Sequence, residues 1–305
     1  MELASHVSRE RAMSVRSVAV IGLGAMGGPM ATRIQAAGFE LTVCDTREEA
    51  VVPFAGGGRV ARTPAECAAS DLAIVIVATS VQVREVLLGV RGLLSGLQPG
   101  RAPLVALMGT MSPESVREFA LTLRESGVRS LDAPVCGGTT GAQEGTLAIL
   151  VGGAPEDAAI ARPVFDCLAA HVHHLGDIGT AQTLKILNNI ISIVNSFLSA
   201  ETFRIALEYG LDLVQVAHVL ETGTGRNWLT RSETGPAAVY AAMLRAQSFD
   251  AGLKIIRKDL ELARALAERV NGKYPLLDGI EALLGEVGAE TLETWKRITE
   301  SLPQH

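Results

Sequence analysis

The feature that most narrows the fold is a glycine-rich turn set between a strand and a helix. Val18–Ile21 (VAVI) runs directly into Gly22–Gly27 (GLGAMG), and an amphipathic stretch follows to Ala37. This is G-x-G-x-x-G in the strand–turn–helix setting that a dinucleotide-binding unit requires. Gly22 permits the tight turn, Gly24 lets a pyrophosphate approach the backbone, and Gly27 lets helix and strand pack closely. Leu23, Ala25 and Met26 complete the turn, and the free N–H groups at the helix start offer positive potential to phosphates. Asp45 and Thr46 follow the next strand-like run, Leu41–Cys44 (LTVC), and Asp45 lies 18 residues beyond Gly27. A carboxylate there accepts hydrogen bonds from ribose hydroxyls and repels a 2′-phosphate, which favours NAD. Arg47 could offset that repulsion, so NADP stays open.

The rest of the first half repeats the strand–helix alternation. Leu72–Val77 (LAIVIV) is apolar at every position, as a parallel strand covered on both faces should be. A helix is expected over Val81–Leu94, a strand over Leu104–Leu107, a helix over Pro113–Glu125 and a strand over Val128–Leu131. Repeated βα units of this kind predict an α/β doubly wound, Rossmann-type sheet. Thr146–Val151 and Val172–Leu175 read as further strands around a helix over Pro155–Ala169. From Thr180 onward convincing strands disappear. Thr180–Tyr209 reads as one long helix with an apolar stripe at Leu184, Leu187, Ile191, Val194 and Leu198. Helices are expected again at Leu213–Glu221, Pro236–Ala246, Leu253–Arg269, Pro275–Glu286 and Glu290–Ser301. The expected organisation is an N-terminal extension over 1–14, a dinucleotide-binding domain over 15–178 and an all-helical domain over 179–305, joined by the long helix.

Composition removes several function classes. A formal net charge of −6, with scattered basic residues, argues against nucleic acid as a partner. Cys44, Cys67, Cys136 and Cys167 show no C-x-x-C or zinc-like grouping, so no metal site is expected. His171, His173 and His174 lack acidic or cysteine partners at convincing spacing and read as a surface cluster. Residues 1–14 lack the apolar stretch of a secretory signal, and Met13 is an alternative start. The apolar run Ile186–Ala200 is interrupted by Asn188, Asn189 and Asn195, so no membrane span is expected, and the cytoplasm is the plain location. There is no G-x-S-x-G elbow and no phosphate-binding G-x-x-x-x-G-K-[ST].

Four segments in one order carry a family resemblance. They are VAVIGLGAMGGPMA (18–31), DAPVCGGTTGAQEGTL (132–147), GDIGTAQTLKILNN (176–189) and Lys258-Asp259-Leu260. Together the chain resembles the β-hydroxyacid dehydrogenase family from Val18 to about Leu302, the group that includes 3-hydroxyisobutyrate dehydrogenase, tartronate semialdehyde reductase and L-threonate-type dehydrogenases. The resemblance implies NAD(P)-linked oxidation of a small 3-hydroxy acid to its semialdehyde or keto acid, by homodimers or homotetramers. It implies Lys185 as the catalytic lysine and Asn189 as a substrate-orienting neighbour. It further implies Cys136, Gly137 and Gly138 as the substrate loop, and Ala78, Val81, Thr110 and Lys258 as cofactor or active-site contacts. The chain departs from the family pattern in three places. Cys136 stands where serine is usual, Ala181 replaces a glycine, and Leu107 with Gly109 replace an aspartate and a serine.

Read from the residues alone, Lys185 and Asn189 are four apart and share a helix face. An amine can serve as acid or base for a hydroxyl that becomes a carbonyl. Equally, a lysine on a long helix can simply reach solvent. Cys136–Gly141 offers backbone N–H groups with little obstruction, which suits a carboxylate, or forms a plain surface turn. Asp259 reads as structural support beside Lys258, or the two occupy a solvated helix face. Two alternatives to the dehydrogenase remain: an imine reductase of the same architecture, which usually lacks the lysine, and a non-catalytic dinucleotide-binding or assembly protein.

Overall fold

The computed structural model describes residues 15–230, 240, 244, 248–271 and 273–302. The N-terminal extension expected over 1–14 and most of the helix expected over 236–246 lie outside the described residues. The chain divides into two compact units between Lys185 and Ile186.

The first unit is built on six parallel strands: β1 (Ser17–Ile21), β2 (Glu40–Cys44), β3 (Arg59–Val60), β4 (Leu72–Val75), β5 (Leu104–Leu107) and β6 (Ser130–Asp132). Their order in the sheet is β3-β2-β1-β4-β5-β6. The order reverses beside β1, and a doubly wound sheet opens its ligand crevice at such a switch point. Residue alternation along each strand sends side chains to opposite faces. Val18, Val20, Leu72, Ile74, Leu104 and Ala106 pack with Met30 and Ile34 of helix α1 (Gly27–Ala36) in one core. Ala19, Ile21, Ala73, Val75, Val105 and Leu107 face a second core. That core also holds Val83 and Leu87 of α2 (Ser80–Leu88) and Val116, Phe119 and Leu123 of α3 (Pro113–Glu125).

A second, three-stranded sheet follows. It comprises β7 (Val135–Cys136), β8 (Leu147–Val151) and β9 (Ala169–His174), with β7 antiparallel and β9 parallel to β8. Between them run α4 (Gly138–Glu144) and α5 (Pro155–Asp166). An isolated antiparallel bridge between Asp132 and Gly152 links the end of β6 to this sheet.

Several expected boundaries move for identifiable reasons. The helix expected to reach Leu94 stops at Leu88, because Gly89 leaves the helical region (φ −59, ψ 166). Its start is sharp: Thr79 Oγ1 accepts from Gln82 N and Gln82 Oε1 accepts from Thr79 N, a reciprocal cap. The strand expected over Val128–Leu131 begins at Ser130. The helix expected to Ala169 ends at Asp166, and Ala169 already belongs to β9.

The long helix, α6, spans Thr180–Glu208, 29 residues. By length and hydropathy it could cross a membrane, but 39% of the residues in that apolar window are buried within the protein. Ile193, Phe197, Ala200 and Phe203 build the core of the second unit with Tyr240, Leu260 and Trp295. The expected apolar stripe lies elsewhere: Leu184, Leu187, Ile191 and Leu198 are exposed, between 42% and 64%. The helix carries two apolar faces, and spacing alone does not say which one the fold covers. The second unit continues through α7 (Leu213–Thr222), α8 (Ser248–Arg269), α9 (Pro275–Glu286) and α10 (Ala289–Glu300).

Candidate active site

The glycine turn has the shape its sequence requires. Gly22 adopts φ +99, and a Cβ there would lie 2.3 Å from the Ile76 carbonyl oxygen. A Cβ on Gly27 would lie 1.9 Å from the Gly22 oxygen, while one on Gly24 meets nothing within 4 Å. Gly22 and Gly27 are therefore demanded by the fold, whereas Gly24 borders open space that a pyrophosphate can enter. Gly24 and Ala25 are exposed, Met26 is half-buried and Leu23 is buried. No side chain caps the start of α1; Gly28 N donates to the Gly24 carbonyl at 3.1 Å, Met30 N to the Met26 carbonyl at 3.2 Å, and Pro29 has no N–H, so the exposed backbone of Gly24 and Ala25 is the surface a phosphate can approach. The turn fits a dinucleotide.

Asp45 sits at the end of β2 and braces this turn. Its Oδ2 accepts from Leu23 N at 2.7 Å, and its Oδ1 accepts from Arg47 N at 2.9 Å. The Arg47 guanidinium lies alongside, 3.1 Å from Oδ1, and also donates to the Leu23 carbonyl at 3.2 Å. Burial pushes the carboxyl upward, but the Arg47 side chain and the two backbone N–H groups outweigh it and hold Asp45 below the usual carboxylate range. It is ionised at neutral pH. Thr46 is exposed beside it.

The other expected cofactor positions of this unit border the same end of the sheet. Ala78 lies between β4 and α2, its N–H held by Gln82 Oε1 at 3.0 Å. Val81 is exposed in the first turn of α2, and Thr110 is half-buried between β5 and α3. Gly109 must be glycine, because a Cβ would lie 2.5 Å from the Val77 carbonyl. Leu107 is fully buried in β5 and serves the core. Ala181 is fully buried too, and the left-handed residue ahead of α6 is Gly179 (φ +97). The helix start therefore needs no glycine at 181.

Lys185 and Cys136 meet. The amine lies 3.7 Å from the thiol sulfur, both half-buried, with Cys136 at the end of β7 and Lys185 in the second turn of α6. The segment after β7 is not the open loop its glycines suggest. Gly137 (φ +123) and Gly138 (φ +66) turn the chain sharply, and α4 begins at once.

Sequence reasoning gave no role to two buried side chains behind this pair. Asp132 Oδ2 accepts from Gly179 N at 2.9 Å and from Gln182 N at 3.1 Å. Gln182 accepts from Met111 N at 3.1 Å and donates to the Gly109 carbonyl at 2.9 Å. Burial dominates the Asp132 carboxyl and raises it to about 6, although the α6 N–H groups pull the other way. Its Oδ1 finds no hydrogen-bond partner among the described residues.

In the second unit, Asn189 donates to Asp259 Oδ2 at 2.6 Å, and Lys258 pairs with Asp259 Oδ1 at 3.2 Å. Asp259 is buried, so it is neither a solvated surface charge nor a support for Lys258 alone; it fixes the Asn189 amide. Asn188 donates to the Asn189 oxygen at 3.3 Å. The histidines of β9 are exposed, and His174 Nε2 contacts the Gly153 carbonyl at 2.8 Å.

Comparison with known proteins finds matches along most of the chain. Residues 17–176 match the family model described as the NAD-binding domain of 6-phosphogluconate dehydrogenase. Residues 179–297 match that described as NAD-binding of NADP-dependent 3-hydroxyisobutyrate dehydrogenase. An NAD-dependent L-serine dehydrogenase of Pseudomonas aeruginosa is 33% identical over 266 residues, 86% of this chain and 89% of that protein. A 3-hydroxyisobutyrate dehydrogenase of the same organism is 32% identical over 263 residues, covering 85% and 88%. The solved Mycobacterium tuberculosis 3-hydroxyisobutyrate dehydrogenase with L-serine superposes with a TM-score of 0.70 at 28% identity, covering 90% and 94%.

The chain belongs to the β-hydroxyacid dehydrogenase family. It is an NAD(P)-dependent oxidoreductase, and its fold is the one that family uses. In this β-hydroxyacid dehydrogenase a thiol, a weak donor, faces the lysine at Cys136. Asp132 could have been found from the sequence only by asking why an aspartate opens the second motif.

Proposed function

We propose that this protein oxidises a small 3-hydroxy acid, such as L-serine or 3-hydroxyisobutyrate, to its semialdehyde, with NAD as the preferred cofactor and Lys185 as the general base. The carrying observation is the Lys185–Cys136 contact of 3.7 Å, which puts an amine against the substrate segment rather than in free solvent. When bound, the nicotinamide supplies the hydride acceptor. Gly22–Gly27 would hold the pyrophosphate, and Asp45 the adenosine ribose. Lys185 in its neutral form takes the hydroxyl proton, and as ammonium it hydrogen-bonds the carbonyl oxygen in the reverse direction. Cys136, Gly137 and Gly138 anchor the acid's carboxylate. Asn189, one helical turn beyond Lys185, orients the substrate through the amide that Asp259 holds.

The NAD preference is supported by the ionised Asp45, whose charge opposes a 2′-phosphate, although Arg47 reduces that opposition. Assembly into a homodimer or homotetramer is supported by the exposed apolar face of α6. The direct test scans short 3-hydroxy acids with NAD and NADP by nicotinamide absorbance. Turnover that survives Lys185→Ala, in a folded variant, would show that the base is another group.

A further inference from the structure

We propose that Asp132 and Gln182 are positioning residues for the reaction: together they fix the first turn of α6 and so aim the Lys185 amine at Cys136. The inference rests on the role given to Lys185 above. A helix leaves its first N–H groups without intrahelical partners, and the residue just ahead usually caps them. In α6 that residue is Gly179, which has no side chain to do so. Asp132, 47 positions earlier in the chain, takes over by accepting from Gly179 N and Gln182 N. Gln182 uses both ends of its amide on the turn after β5, accepting from Met111 N and donating to the Gly109 carbonyl. Both side chains are fully buried. Four hydrogen bonds thus tie the start of α6 to the ends of β5 and β6.

Asp132 also governs the other partner. Its backbone N–H donates to the Gly152 carbonyl at 2.9 Å and its carbonyl accepts from Gly152 N at 2.7 Å. This bridge lies just ahead of the β7–β8 register in which Cys136 faces Ala148. One residue therefore holds the strand that carries Cys136 by its main chain and the helix that carries Lys185 by its carboxylate. Lys185 is three residues past Gln182. A 20° roll of the helix would displace a group at a side-chain radius of ~6 Å by roughly 2 Å. Displacements of about 1 Å can cost a hundredfold in rate.

The test compares wild type with D132A, D132N and Q182L by steady-state kinetics and by labelling of the Lys185 amine. Labelling uses formaldehyde with cyanoborohydride and is read by peptide mass, so it needs no turnover. In D132A, kcat should fall by about 30-fold or more, with the KM for NAD within about threefold and Lys185 labelled several-fold faster. D132N keeps an oxygen that accepts from the same two N–H groups and should stay within about fivefold of wild type on every measure. A merely structural cap would lower the yield of folded D132A and leave its kcat and its Lys185 labelling at wild-type values; that result overturns the proposal. Should D132A not fold, Q182L decides in the same way, with a kcat loss of about tenfold and faster labelling expected, and wild-type values overturning it. If wild type turns over no hydroxy acid, the functional reading fails while the labelling comparison still judges the positioning.

Discussion

Asp132 is ionised at neutral pH at a cost to stability, and replacing it by asparagine should expose that cost. The buried carboxyl titrates at about 6, against an ordinary value of 3.8. Between those values the folded chain holds a proton that the unfolded chain has released, so stability falls as pH rises through the window. Above it the full penalty applies, and at about 1.4 kcal/mol per pH unit this comes to about 3 kcal/mol. The linkage integral places roughly 2 kcal/mol of it between pH 4.5 and 7.5. Asparagine keeps the acceptor for Gly179 N and Gln182 N but cannot ionise. Its buried NH₂ brings a fixed cost of roughly 1 kcal/mol or more, independent of pH. D132N should therefore gain on wild type by about 2 kcal/mol as the pH is raised from 4.5 to 7.5. Trp228 and Trp295 both lie in the second unit, so tryptophan fluorescence reports the wrong half of the chain. Amide hydrogen exchange of peptides covering β5 and β6, compared pairwise at each pH, reads the right one. A stability difference that stays flat with pH, or narrows as pH rises, would refute the reasoning.

Five further variants have expected outcomes. K185A should lower kcat by about a thousandfold while leaving NAD binding intact, measured by turnover and by calorimetric titration of the cofactor. G24A should fold normally but weaken NAD binding by about tenfold or more, because its Cβ enters only the open space beside the turn; G27A, whose Cβ would strike the Gly22 oxygen, should lose about 1–3 kcal/mol in urea unfolding instead. D259N, which loosens the Asn189 amide, should raise the KM for the acid by about tenfold with less effect on kcat, a split visible in steady-state kinetics. Ile191→Asp, on the exposed face of α6, should reduce the mass seen by light scattering, and an unchanged mass would place the subunit contact elsewhere.

The sequence made the sheet legible because its strands announce themselves locally. VAVI before the glycine turn and the all-apolar LAIVIV need no distant information to read as covered parallel strands, and Pro113–Glu125 carries its own start signal in Ser112 and Pro113. The second unit was harder. In α6 two apolar stripes share the helical period, and only the surrounding fold shows that Ile193, Phe197 and Phe203 are covered while Ile191 and Leu198 are not. The turn at Gly137 and Gly138 read as an open loop, because nothing in CGGTTG signals that a seven-residue helix starts inside it.

The same limit applies inside the site, and it is informative. The glycines of the turn are marked by residue type and spacing, whereas Lys185 and Asn189 stand out only through the motif that resembles the family's. Asp132 and Gln182 are constrained by one another's surroundings instead. An aspartate at a strand end carries no local sign that its partners lie 47 and 50 residues further on. Local rules would even count it as an error: a carboxylate fully buried, with one oxygen lacking a partner among the described residues. A chain tolerates such a group where removing it costs something other than stability. Here we assign that cost to the aim of the Lys185 amine at Cys136. The exposed glycine turn is thus readable from its own residues, and the buried carboxylate only from the fold that surrounds it.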